Sequence, residues 1–199
     1  MAAPHQTAST AGVDPDAAER RRILNETATD RLRGDFPHEL SIPYGRHSRQ
    51  VFDCYLPVGT PKGPVMVFLH GGGFRLGAPG PVAHYGRPIL EQGGIFVSLG
   101  YRLAPEMRFP DTAEDAELGL EAVAKHVAAS GGDRERLFLA GHSAGAALAA
   151  FVALRPATPV TAALRGLVLV SGMYDFTRLS EEVGHRSSAR LSSGAASVL

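Results

Sequence analysis

Short hydrophobic runs recur along the chain, and longer stretches with helical spacing separate them. Pro64–Leu69, Ile95–Leu99, Arg136–Ala140 and Leu164–Val170 read as strands. Ile95–Leu99 has no polar face, as expected of a strand covered on both sides in a parallel sheet. Two earlier stretches, Leu40–Tyr44 and Gln50–Leu56, read as short strands joined by the polar turn Gly45-Arg46-His47-Ser48. In the second, Val51, Asp53 and Tyr55 alternate with Phe52, Cys54 and Leu56, so neither face is cleanly polar.

Helices are predicted from Asp14-Pro15 to about Arg33, over Val82–Glu91, from Pro110 to about Ala129, and over Ala146–Leu154. Asp14-Pro15 is a capping acid followed by proline in the first turn. Gly34 stops that helix, and Gly131-Gly132 stops the third. The first helix is very polar, with Ile23 and Leu24 as its main apolar residues, and is expected on the surface. Strands alternating with helices predict an α/β fold: a mostly parallel twisted sheet with helices on both faces and ligands at the C-terminal strand ends. The expected organisation is a disordered segment 1–13, an N-terminal helix and linker 14–38, an α/β domain 39–178 and a poorly structured tail 179–199.

At 199 residues the chain suits one domain. Its net charge of +0 gives nucleic acid or an anionic membrane no reason to bind. The single cysteine, Cys54, reads as a small buried hydrophobe. No secretion signal and no apolar run near the ~20 residues of a membrane span is visible, so a soluble cytoplasmic protein is expected. Of 20 basic residues only Lys62 and Lys125 are lysines, a composition typical of GC-rich bacterial genomes.

Chemistry concentrates in two places. Gly141-His142-Ser143-Ala144-Gly145 lies between a predicted strand and a predicted helix, the context of a nucleophile elbow. Such a turn strains its serine and tolerates only small neighbours, and the following helix aims its positive end at Ser143. His70-Gly71-Gly72-Gly73-Phe74 also follows a predicted strand. A glycine run there frees backbone N–H groups to face a substrate oxygen.

With Tyr101-Arg102-Leu103-Ala104-Pro105-Glu106 as a third motif, the chain resembles the α/β-hydrolases, specifically the hormone-sensitive-lipase-like esterases, over roughly residues 41–175. Ser171-Gly172-Met173-Tyr174-Asp175-Phe176 also resembles the bacterial arylformamidase and feruloyl/acetyl-xylan-esterase branch. The resemblance implies Ser143 as nucleophile and the N–H groups of Gly72, Gly73 and Ala144 as oxyanion hole. It implies that Gly71 shapes the loop, that His70 braces it, and that Arg102 and Glu106 form a buried ion pair beneath it. Asp115 is taken as structural. The substrate would be a small ester, cleaved through an acyl-enzyme without metal or cofactor.

The family's acid and histidine follow two further strands for which the chain after Val170 has no room. After Ser143 the acids are Asp175, Glu181 and Glu182, and the histidine is His185. Asp175 and His185 are therefore the remaining triad candidates. The expectation is a chain truncated at its C-terminus, with strand six as a sheet edge and with impaired activity. Three readings stand open: a serine ester hydrolase, an arylformamidase-type hydrolase of N-formyl amides, and a non-catalytic, ligand-binding remnant. The oligomeric state is left open.

Overall fold

The computed structural model describes residues 15–109 and 111–175. In chain order these form α1 (Pro15–Asp35), β1 (His38–Pro43), β2 (Val51–Tyr55), β3 (Val65–Leu69), a 3₁₀ segment (Gly80–Gly86) and α2 (Arg87–Glu91). There follow β4 (Ile95–Leu99), α3 (Asp111–Ala129), β5 (Leu137–His142), α4 (Ala144–Leu154), α5 (Pro159–Ala162) and β6 (Leu164–Val170). One six-stranded sheet runs β1-β2-β4-β3-β5-β6. The pairs β4-β3, β3-β5 and β5-β6 are parallel, whereas β2 runs antiparallel to both β1 and β4. The predicted fold class is the one observed.

Every residue of β4 is buried, as its unbroken apolar run requires. One face of the sheet carries α3 and α4, through Leu120, Val123, Val127, Leu148 and Val152. The other face packs Phe68, Phe96 and Tyr55 against Leu32, Phe36, Ala83 and Leu90. Cys54 is buried within the first cluster, which pushes its thiol up to about 12.

Two predicted elements differ from those observed. The helix expected over Val82–Glu91 is a 3₁₀ segment followed by a short α2. Pro88 has no N–H with which to continue an α-helical ladder back to His84. Gly86 sits against the Phe96 ring, where a Cβ would lie 2.4 Å from its Cγ. In α1, Ile23 and Leu24 are exposed, and Leu32 near the C-terminal end is the residue wholly buried. A helix whose apolar residues are few is held by whichever of them reaches a core. The segments 1–13 and 179–199, Pro110 and His185 lie outside the described residues.

Among the described residues β6 is a sheet edge, paired on one side by β5. Leu167, Val168, Leu169 and Val170 are exposed, although no polar side chain alternates among them.

Candidate active site

Both glycine motifs end neighbouring parallel strands, β5 and β3, at the C-terminal edge of the sheet. Ser143 is the N-cap of α4 and has φ 53 and ψ −118. A side chain held there costs about 1–3 kcal/mol, which the surrounding packing must offset. The flanking glycines make that packing possible. A Cβ on Gly145 would sit 2.1 Å from the Leu69 carbonyl oxygen, and one on Gly141 would sit 2.3 Å from that of Gly145. The start of α4 therefore presses directly on the backbone that leaves β3. On the far side, the Ser143 N–H donates to the Val170 carbonyl at 2.8 Å, tying the elbow to the end of β6. Its own carbonyl accepts from Ala146 and Ala147. Ala144, first in the helix, has an N–H with no acceptor inside α4.

The loop after β3 lies alongside this elbow. A Cβ on Gly71 would fall 2.9 Å from the His142 carbonyl and 3.3 Å from the Ser143 Cβ. Gly72 and Gly73 both take positive φ, 123 and 62, and both are exposed. The Gly72 carbonyl accepts from the N–H groups of Arg75 and Leu76, closing a tight turn. So the structure brings Ser143, Ala144 and the glycine loop together.

The loop is braced from behind. His70 is buried, and its Nδ1–H donates to the Gly71 carbonyl at 2.8 Å, since a carbonyl can only accept. The Tyr101 ring stacks on it at 4.4 Å, and the Tyr101 hydroxyl donates to the His70 carbonyl at 2.6 Å. Further along, the Ala104 N–H donates to the Phe74 carbonyl and Arg49 Nη1 to that of Gly77. Arg102 does not pair with Glu106. It grips Asp115, with Nη2 to Oδ1 at 2.6 Å and its own backbone N–H to Oδ2 at 2.9 Å. Gln50 Nε2 also donates to Asp115, while the exposed Glu106 pairs with His47 at 3.2 Å. Burial pushes the Asp115 carboxyl up, but the hydrogen bonds from Arg102 and Gln50 hold it below the usual range. The bracing by Tyr101 and Arg49 left no trace in the sequence, because both act on backbone carbonyls.

Burial holds His70 neutral down to about pH 4, well below a free histidine. The unfolded chain binds a proton there between about pH 4 and 6.5 and the folded chain does not. Stability is therefore expected to fall as pH drops through that window, by roughly 3 kcal/mol from this residue. Urea unfolding at pH 7 and pH 4.5 checks it: His70→Gln should flatten the difference, and an unchanged difference would refute it.

Asp175, shortly beyond the end of β6, is exposed. His142 places its ring beside Gly71, where a Cβ would come 3.0 Å from Nδ1.

Comparison with known sequences bears on this arrangement. Residues 66–195 match the family model of the α/β-hydrolase fold, well over half of the chain. The chain belongs to the α/β-hydrolase fold family. Among its relatives, this α/β-hydrolase is 37% identical to the isoprenylcysteine α-carbonyl methylesterase of Arabidopsis thaliana over 119 residues, 59% of this chain and 28% of that protein. It is 28% identical to the kynurenine formamidase of Danio rerio over 177 residues, 82% of this chain and 59% of that enzyme. Among solved structures, the metagenomic carboxylesterase EstE1 superposes with a TM-score of 0.62 at 26% identity, covering 92% of this chain and 65% of that one. The esterase of the archaeon Pyrobaculum calidifontis gives 0.60 at 27% identity, with 85% and 56% covered. The α/β-hydrolase chain thus spans 28% and 59% of the two enzyme sequences it is compared with. Among the described residues, no helix is long and apolar enough to cross a membrane.

Proposed function

We propose that this chain carries the nucleophile and oxyanion hole of a serine hydrolase acting on carboxylic esters of small molecules. The observation that carries the reading is the strained Ser143, at the N-terminus of α4, set against the glycine loop through Gly71. Ser143 Oγ attacks the ester carbonyl carbon and the C=O π electrons move onto oxygen. The N–H groups of Gly72, Gly73 and Ala144 receive that developing charge, helped by the helix dipole. Collapse expels the alcohol, which takes up the proton given by Ser143, and water then hydrolyses the acyl-enzyme. A base must carry that proton, and Asp175 with His185 are the candidates within this chain. No cofactor enters the scheme.

A fluorophosphonate probe tests the reading. It is expected to label Ser143, located by peptide mapping, and to leave Ser143→Ala unlabelled. Label on another serine refutes the nucleophile. A folded chain with no label at all supports a non-catalytic remnant.

The likeness to kynurenine formamidase over most of this chain favours a second reading, cleavage of an N-formyl amide by the same steps. Formylkynurenine and a nitrophenyl butyrate separate the two, since the true substrate class is turned over with the higher kcat/KM.

A further inference from the structure

We propose that a cavity behind the glycine loop binds small monocarboxylates that have an apolar body. The cavity measures about 330 Å³ and lies between the end of α1, the β1–β2 turn and the segment that follows the loop. Neither Ser143 nor any of Gly71, Gly72 and Gly73 lines it, so it is distinct from the ester site. Its walls join two kinds of surface. Val51, Pro79 and Pro81 are apolar, and Arg33, Arg49 and Asp53 are charged.

The charges do not cancel. Arg33 stands 3.8 Å from Asp53 and 3.9 Å from Asp30, which offset it. Asp53 is buried and also accepts from the Ser41 N–H at 2.8 Å. The Arg49 guanidinium donates through Nη1 to the Gly77 carbonyl, at 3.0 Å. Among the described residues, no carboxylate stands within ion-pair distance of it. A guanidinium has five N–H donors in a planar fork, so most of its capacity remains unspent. The wall therefore carries one positive charge without a carboxylate partner among the described residues, beside low-dielectric surface, which attracts an anion more strongly than an open surface would.

One net charge calls for a monoanion. The planar fork suits a carboxylate, and the apolar wall suits a hydrocarbon body attached to it. Inorganic phosphate offers more charge than the wall can match and nothing for Val51 and the prolines. A ligand seated here touches His70, which leads into the glycine loop, and Ala78 in the segment that follows it.

Isothermal titration of the full chain with hexanoate at pH 7.5 tests the proposal. Saturable binding is expected, weakened about tenfold in Arg49→Gln and less in Arg49→Lys, which keeps the charge. Arg49 is exposed, so both variants should fold. Hexanamide, neutral and of the same shape, should bind at least about tenfold more weakly than hexanoate. Ser143→Ala should bind hexanoate unchanged, which separates this cavity from product binding at the ester site. No saturable binding overturns the proposal, as does binding unaffected by Arg49→Gln or lost in Ser143→Ala. Phosphate binding more tightly than hexanoate overturns the choice of a monocarboxylate.

Discussion

In a form of the protein with a complete triad, Ser143→Ala is expected to lower kcat for a short-chain nitrophenyl ester by about 10⁶, the usual loss when a nucleophilic serine is removed from a working site. Binding should survive, so KM should change little. Alanine keeps the β-carbon, and with it the positive-φ strain at this position. Thermal unfolding of the variant should therefore match the parent chain. Ser143→Gly separates strain from chemistry. It should be equally inactive but more stable by about 1–2 kcal/mol, because glycine occupies φ 53 freely. Equal stability in all three proteins would show that the elbow stores no strain. Turnover retained in Ser143→Ala would move the nucleophile elsewhere.

In a form of the protein with a complete triad, Gly72→Ala is expected to reduce kcat by about 10²–10³, the scale of one lost oxyanion donor. Position 72 has φ 123, which alanine rarely adopts, and its new Cβ would lie 2.1 Å from the Leu76 carbonyl oxygen. The turn must open, carrying the Gly72 and Gly73 N–H groups away from Ser143. The loop is exposed at this point, so the sheet and its two cores should stay intact. Circular dichroism and the melting temperature check that separation. A fully active, well-folded Gly72→Ala would exclude the loop from any oxyanion hole.

Much of this site was legible because glycine is legible. Gly141 and Gly145 flank Ser143 at the spacing the elbow needs, and the structure gives the reason in two close backbone approaches. β4 was equally plain, since a strand buried on both faces leaves an unbroken apolar run. The partner of Arg102 was not. Glu106 lies near it in sequence, but Asp115 on α3 faces it across the turn. A carboxylate one turn into a helix that opens on acids looks the same on paper whether it serves the helix dipole or a guanidinium. The helix expected over Val82–Glu91 failed for a local reason, the missing N–H of Pro88 together with the pressure of Phe96 on Gly86. Asp175 and His185 stay unassigned. The acid lies beyond β6 on irregular chain, and no periodicity around the histidine says where it should go.

The β6 edge ties the thermodynamics of this chain to the tube it is measured in. Among the described residues β6 is paired only by β5, and with Leu167 to Val170 exposed it can add the same strand of another molecule. Folding then draws on a bimolecular equilibrium, and each tenfold rise in protein concentration adds up to about 1.4 kcal/mol to the apparent stability. Urea midpoints at 1 and 100 times a low starting concentration should diverge. Midpoints that coincide would mean the edge is already covered, and a single unfolding free energy would then describe the molecule.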